Sequence, residues 1–254
     1  MEDGVEIHSL YWDNFNRDML VAHRKVMERF EVPVRYHERT VPHDVWCDEV
    51  ARASTADVFG FIEPDLIPLN AGVVPEALAF VRENDTLLGC AQVSNQFYPP
   101  THVYASPAFF FITRSCYLRL GQPSFRVNAR ADAGQEVSYA ADRRGVRYRT
   151  LYPTHYERDP DGGVWPLGNY GWFGVGTVFA GRVYHLFQSR LGANVDLFTQ
   201  RCAEVVEGTF STEGFYSSTD LSVPNNPSRF MFPNWGLPRK AVNRILRLMA
   251  TKGI

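Results

Sequence analysis

Two carboxylates one residue apart, Glu63 and Asp65, directly follow a short apolar segment at residues 58–62. That segment, VFGFI, is rich in β-branched and aromatic residues, which predicts a buried strand. Pro64 cannot donate to a sheet ladder, so the strand is expected to end at Glu63. Open α/β sheets bind ligands at the carboxyl ends of their strands. Because carboxylate oxygens suit Mg²⁺ and Mn²⁺, the pair predicts a site for one of these ions.

The segments around this pair predict an α/β fold with a mainly parallel central sheet flanked by helices. Alternation of strand, helix and strand implies parallel strands joined by right-handed crossovers. The predicted elements of this part are strands at 5–12, 32–37 and 58–62 and helices at about 14–30 and 42–54. Downstream, a helix is predicted at 75–83, strands at 87–93 and 109–113, and a helix ending before Gly145.

The strand-end acids resemble the Asp-x-Asp motif of GT-A glycosyltransferases, in the variant form Glu63-Pro64-Asp65. In that family the acids hold a divalent cation, and the cation holds the diphosphate of a nucleotide sugar. The resemblance covers roughly residues 5–190 and implies a GT-A domain at 1–205. The composition of the remaining residues predicts a loop-rich C-terminal extension at 206–254 that ends in a helix. The resemblance also implies a nucleotide-diphosphate sugar as donor and Mn²⁺ or Mg²⁺ as cofactor.

By the same resemblance, residues at the ends of the first two strands should line the base and ribose pocket of the nucleotide. The alternative for each is an ordinary loop residue or a packed aromatic ring. These candidate nucleotide-binding residues are Leu10, Tyr11, Trp12, His37 and Glu38.

A second acidic cluster, Asp132 and Glu136, precedes the amphipathic helix that ends before Gly145. In the GT-A family an acid at this helix start faces the acceptor hydroxyl, and an inverting transferase needs such a general base. The family's usual Glu-Asp pair would fall near Ala133 and Gly134, so the two acids here flank that position. Glu136 is favoured as the base and Asp132 as a helix cap on the acceptor side, although the roles could be exchanged. If neither acid reaches the acceptor, a retaining mechanism is the better account.

A late histidine completes the metal shell in many GT-A enzymes, and His185 lies at a similar distance past the helix. Imidazole is an acceptable ligand for Mn²⁺ when two carboxylates are already present. His155 is the alternative ligand. Arg190, close to His185, is expected to bind the phosphates.

Two further residues are candidates for acceptor or phosphate binding. Arg114 follows the apolar strand predicted at 109–113, and a guanidinium near a diphosphate has an electrostatic role. Trp172 lies in the glycine- and aromatic-rich segment 162–176, which is expected to be a loop that stacks on sugar rings. A surface arginine and a packed tryptophan are the alternatives.

Composition narrows the function classes. The 254 residues carry 26 Lys and Arg against 28 Asp and Glu, so no strongly basic surface points to nucleic acid. The four cysteines form no C-x-x-C pair, which indicates free thiols in a reducing compartment. No segment approaches the roughly 20 apolar residues of a membrane span, and the N-terminus is unlike a signal peptide. A soluble, cytoplasmic protein is expected.

The last residues, 238–254, predict a basic amphipathic helix. Docking of this helix on the domain is favoured. The alternatives are a second subunit, a further domain, or peripheral contact with an anionic membrane if the acceptor is lipid-linked.

The sequence therefore predicts metal-dependent transfer of a hexosyl or deoxyhexosyl group to a hydroxyl of a glycan, polysaccharide or glycolipid. A sugar nucleotidyltransferase is one alternative, but it normally has a glycine-rich basic loop after the first strand. The segment SLYWDNFNRD at that place contains no glycine. A non-catalytic nucleotide-sugar binding module is the other alternative, because both acidic motifs depart from the family pattern.

Overall fold

The computed structural model describes residues 4–94, 102–157, 164–167, 170–189 and 192–219, and the statements below concern these residues. They form a mixed α/β structure with one six-stranded sheet, one five-stranded sheet and a two-stranded ribbon. Arg190 and the predicted helix at 238–254 lie outside the described residues.

The strands, in chain order, are β1 (Val5–Tyr11), β2 (Val34–Glu38), β3 (Val58–Ile62), β4 (Leu66–Pro68), β5 (Leu87–Val93), β6 (Val103–Thr113), β7 (Arg149–Leu151), β8 (Pro153–Glu157), β9 (Val164–Pro166), β10 (Trp172–Gly174), β11 (Gly176–Phe179), β12 (Val183–Leu186) and β13 (Tyr216–Ser217). The helices are α1 (Arg17–Arg29), α2 (His43–Ala53), α3 (Val73–Asn84), α4 (Arg114–Arg119), α5 (Gln135–Arg143) and α6 (Gly192–Glu207).

The six-stranded sheet has the order β2-β1-β3-β6-β5-β7. Strand β6 runs antiparallel to both of its neighbours, and the other strand pairs are parallel. The prediction of a mainly parallel sheet flanked by helices is therefore confirmed. Because β1, β2 and β3 are parallel, their carboxyl ends meet at one edge of the sheet.

Helices cover both faces of this sheet because each carries an apolar stripe. Met19, Val26 and Met27 of α1 lie in the apolar cluster on one face, and Trp46 and Ala51 of α2 lie in the cluster on the other face. Helix α1 begins at an N-cap, Asn16, whose side chain accepts hydrogen bonds from two backbone amides of the first turn. These helices fix the orientation of the strand ends.

The five-stranded sheet, β13-β8-β11-β12-β4, is antiparallel throughout. Only three residues separate its strand β4 from the end of β3 in the central sheet. The turn that contains Glu63 and Asp65 thus joins the two sheets.

The structure departs from the expected elements in its C-terminal half. Residues 153–157, expected to be a loop, form β8, which pairs with β11 and β13. The expected loop at 162–176 contains the ribbon β9–β10. Helix α6 was not predicted, and it extends past residue 205, where the domain boundary was placed. Within the described residues, every helix is too short or too polar to cross a bilayer.

Candidate metal centre and nucleotide site

Glu63, Asp65 and His185 form one cluster, in which one ligand atom from each residue lies within 4.8 Å of the others. Nε2 of His185 is 3.4 Å from Oε2 of Glu63 and 3.6 Å from Oδ1 of Asp65. The His185 side chain is only 7% exposed, and the two acids are 26% and 16% exposed. The structure thus brings together all three residues that the sequence nominated as metal ligands.

The junction between the two sheets positions this cluster. The amide of Glu63 donates to the carbonyl of Ala108, which continues the pairing of β3 with β6. The chain then turns, and the amide of Leu66 donates back to the carbonyl of Glu63. In the antiparallel pairing of β4 with β12, Leu66 lies opposite His185. This register places the imidazole beside the two acids of the turn.

Electrostatics make the cluster an ion-paired group. Burial alone would lower the pKa of His185, but its interactions with the carboxylates of Asp65 and Glu63 outweigh burial and raise the pKa to about 9. Burial would raise the pKa of Glu63, but the charge of His43 and the hydrogen bond from His185 hold it well below its usual range. At neutral pH the imidazolium therefore balances one of the two carboxylates, and a bound metal ion would replace its proton.

The donor set fits a divalent cation. Oδ1 of Asp65 is buried, and its contact with Nε2 of His185, at 3.6 Å, is longer than a hydrogen bond. Among the described residues no donor reaches this oxygen within hydrogen-bonding distance, which a bound cation would remedy. Two carboxylates suit Mg²⁺ and Mn²⁺, and an imidazole suits transition metals. His155, the alternative ligand, lies on β8 opposite Val178 and is not a member of the cluster.

The predicted nucleotide-binding residues lie at the same sheet edge as the acids. Tyr11 and Glu38 are partners in the parallel pairing of β1 with β2. The Tyr11 hydroxyl donates to Oε2 of Glu38 at 3.0 Å, and Arg17 donates to Oε1 at 3.2 Å. The carboxylate of Glu38 is thereby held at the end of β2, where Trp12 follows β1.

Two of the nucleotide candidates have other contacts. Leu10 is 6% exposed and packs in the apolar cluster with Trp46, so its side chain belongs to the core. His37 is half-buried, and its Nε2 lies 3.0 Å from Nδ1 of His8. His8, which sequence reasoning missed, is buried within β1.

Glu136 is engaged by an arginine. Its two oxygens accept hydrogen bonds from the guanidinium of Arg130 at 2.6 and 2.7 Å, and Asn128 donates a third at 3.1 Å. Burial opposes ionisation, but these partners lower the pKa of Glu136. A carboxylate held in this way is a weak proton acceptor.

Asp132 is not the cap of α5, because the helix N-cap is Gly134 at a φ of 75°. The Asp132 carboxylate accepts from the amide of Ala133 at 2.9 Å. The pKa of the buried Tyr104 phenol is raised, first by burial and then by the charges of Asp132 and Glu63. Both acids are therefore within electrostatic reach of the same hydroxyl.

Arg114 does not share the edge of the metal cluster. Strand β6 is antiparallel to β3, so Thr113 pairs with Val58, while Phe109 pairs with Ile62 next to Glu63. The Arg114 amide donates to Asp57, which precedes β3. Asp57 lies six residues before Glu63, so the backbone of Arg114 is roughly 20 Å from that of Glu63. The position of Arg114 at the opposite edge does not support its expected acceptor or phosphate role at this metal cluster.

Trp172 lies in the ribbon β9–β10, where it pairs with Pro166. Its indole nitrogen is buried and has no hydrogen-bond partner among the residues that the structure describes. The next residue, Phe173, has its ring centroid 5.1 Å from that of Phe187, and Phe187 lies 4.1 Å from His185. The aromatic ribbon, β9–β10, therefore packs through Phe173 and Phe187 against His185 of the metal cluster.

A second imidazole contacts Glu63 and was also missed by sequence reasoning. Nε2 of His43, the first residue of α2, lies 3.4 Å from Oε1 of Glu63. The sequence feature that could have indicated His43 is its place at a helix start after Pro42. That helix start lies at the edge of a parallel sheet where ligands bind.

Comparison with known proteins gave structural likeness only. No family model and no curated protein matches the chain. Protein A197 from STIV has a TM-score of 0.39 at 10% identity, covering 71% of this chain and 93% of that one. Drosophila β1,4-galactosyltransferase 7 has a TM-score of 0.37 at 14% identity, covering 57% and 63%.

The 4-diphosphocytidyl-2C-methyl-D-erythritol synthase of Anaerococcus prevotii has a TM-score of 0.37 at 9% identity, covering 59% of this chain and 90% of that one. Likeness at this level defines neither the family nor the activity of the present chain.

Proposed function

We propose that this protein is a metal-dependent glycosyltransferase that moves a sugar from a nucleotide-diphosphate donor to a hydroxyl acceptor. One observation carries the proposal. Two acids and an imidazole meet at the carboxyl edge of the parallel strands, where Oδ1 of Asp65 is buried and, among the described residues, has no donor within hydrogen-bonding distance. That arrangement suits a cation, and this edge is where α/β sheets bind ligands.

In this proposal Glu63, Asp65 and His185 hold Mn²⁺ or Mg²⁺. The bound ion would act as a Lewis acid that offsets charge on the departing diphosphate. Tyr11, Glu38 and His37 lie along the same edge and would contact the base and ribose. The rigid strand ends orient these side chains before the donor binds.

The acceptor side is assigned to the segment before α5. An inverting transfer needs a carboxylate that takes the proton of the acceptor hydroxyl. Both oxygens of Glu136 accept hydrogen bonds from Arg130, and the Asp132 carboxylate, before α5, accepts from the amide of Ala133. The bidentate pair at Glu136 favours Asp132 as the base, which is the reverse of the assignment that helix position favours. The aromatic ribbon with Trp172 would supply a surface for the sugar rings of the acceptor.

Two other functions share the fold and the acids. A sugar nucleotidyltransferase would bind a nucleoside triphosphate, but the segment after β1 has no glycine-rich loop and leads into the Asn16 cap of α1. A non-catalytic module would bind the nucleotide sugar and leave it intact. A retaining transferase becomes the better account if both the Asp132→Asn and the Glu136→Gln variants keep the transfer rate.

Calorimetry on the full chain tests the proposal. Nucleoside diphosphates and diphosphate sugars of uridine, guanosine, thymidine and cytidine are titrated with and without Mn²⁺. We expect one diphosphate to bind only with Mn²⁺ and to lose binding in Asp65→Asn. Asp142→Asn removes a carboxylate that contacts His102 outside the cluster and should bind as the parent does.

The other outcomes identify the alternatives. Binding confined to triphosphates would favour the nucleotidyltransferase. Binding of a diphosphate sugar without release of the diphosphate, with or without simple saccharide acceptors, would favour the module. Absence of any nucleotide binding would overturn the proposal.

A further inference from the structure

The carboxylate of Glu63 lies between two imidazoles that come from different elements. Oε2 is 3.4 Å from Nε2 of His185 on β12, and Oε1 is 3.4 Å from Nε2 of His43 on α2. Each carboxylate oxygen of Glu63 therefore lies next to a nitrogen of a different imidazole.

His43 lies outside the group of mutually close ligand atoms, which consists of Glu63, Asp65 and His185 within the described residues. Its contact is with Oε1 of Glu63, whereas the contact of His185 within the cluster is with Oε2. The three clustered residues would hold the ion, and His43 would contact the same carboxylate from outside that group.

The ring of His43 is held in place by buried neighbours. Its centroid lies 5.9 Å from that of Trp46, and its Nε2 lies 3.5 Å from Sγ of Cys47. Both of these residues are at most 1% exposed, and burial raises the pKa of the Cys47 thiol, which stays protonated. The imidazole is therefore fixed by the core face of α2, although its own side chain is 29% exposed.

We infer that His43 is a positioning residue that, through its contact with Oε1, fixes the orientation of the Glu63 carboxylate beside Asp65 and His185. Partners of metal-binding carboxylates fix ligand orientation, and their loss typically costs about 10–100-fold in metal affinity. The inference rests on the metal site of the proposed function.

Manganese binding to the full chain, measured by calorimetry without nucleotide, tests this role. His43→Leu keeps an apolar group over Trp46 but has no donor, whereas His43→Gln places an amide donor near the position of Nε2. We expect His43→Leu to weaken Mn²⁺ binding by about 10–100-fold and His43→Gln to recover most of the loss. His102→Gln, which alters a histidine that contacts Asp142 and Gln135, should bind Mn²⁺ as the parent does.

The outcomes separate the inference from the proposed function. If the parent binds Mn²⁺ and His43→Leu binds it equally well, the positioning role is overturned and the metal site stands. If both variants lose affinity equally while thermal unfolding without metal is unchanged, orientation by a donor is overturned. If the parent binds no Mn²⁺, both the inference and the metal site fail. Should His43→Leu not fold, His43→Ala is compared with His43→Gln in the same way.

Discussion

The guanidinium of Arg130 occupies both carboxylate oxygens of Glu136, at 2.6 and 2.7 Å. A bidentate pair of this kind stabilises the charged carboxylate, and the pKa of Glu136 is lowered accordingly. Glu136, the acid that helix position alone favours as the base, is therefore ion-paired with an arginine. Its neighbour Asp132 is the remaining candidate for the base.

We predict that Asp132→Asn lowers the rate of sugar transfer by about 10²–10⁴-fold, as loss of a general base does. Glu136→Gln should lower it less than tenfold and act mainly on thermal stability, because it breaks the contact with Arg130. The measurement is kcat with saturating donor and acceptor for both variants. A larger loss in Glu136→Gln than in Asp132→Asn would return the base role to Glu136.

A second prediction concerns acid stability. Burial, together with the charge of His37, lowers the pKa of His8 to about 4, and burial lowers the pKa of His23 to about 4. The unfolded chain protonates a histidine near pH 6.5, so between pH 6.5 and 4 the unfolded state binds more protons. The contribution of these two neutral histidines to the free energy of unfolding is complete above pH 6.5 and is lost progressively as the pH falls towards 4. Each histidine contributes a slope of up to about 1.4 kcal/mol per pH unit.

Urea unfolding at pH 7.5, 5.5 and 4.5 measures this slope. His8→Gln combined with His23→Gln should flatten the fall in stability between pH 6.5 and 4, and His102→Gln should not. Equal slopes in the parent and the double variant would show that other groups carry the acid sensitivity.

A third prediction concerns Gly60 in the middle of β3. A methyl group there would overlap the ring of Phe111 and the carbonyl oxygen of Phe110. Gly60→Ala should therefore lower the free energy of unfolding by about 1–3 kcal/mol, since both neighbours are buried and cannot move freely. At Gly72 the nearest atom would be a carboxylate oxygen of Glu76 at 3.1 Å, on a flexible side chain. Gly72→Ala is the matched control, and a similar loss in both variants would contradict the packing argument.

Much of the fold was predictable because its first half follows local patterns. Strands β1 to β3 and the helices between them have clear apolar periodicity, and their alternation determines the parallel order. The metal acids were predictable for the same reason, since Pro64 ends a buried strand beside two carboxylates.

The remaining features depend on pairing between distant segments. Residues 153–157 are polar enough to look like a loop, and they form β8 because β11 and β13 flank them. The antiparallel direction of β6, which places Arg114 at the far edge, depends on its partners β3 and β5. The contacts of His43 with Glu63 and of Arg130 with Glu136 involve side chains that no spacing rule relates.

The last prediction concerns the metal itself. Mn²⁺ at about 100 times its dissociation constant should stabilise the folded chain by about 2.7 kcal/mol, which thermal unfolding detects. The effect should be larger at pH 8.5 than at pH 6.5, because the ion must displace the proton that Asp65 and Glu63 hold on His185. Asp65→Asn should lose most of the shift, and Asp142→Asn should keep it. A shift that survives in Asp65→Asn, or that grows as the pH falls, would place Mn²⁺ elsewhere on the protein.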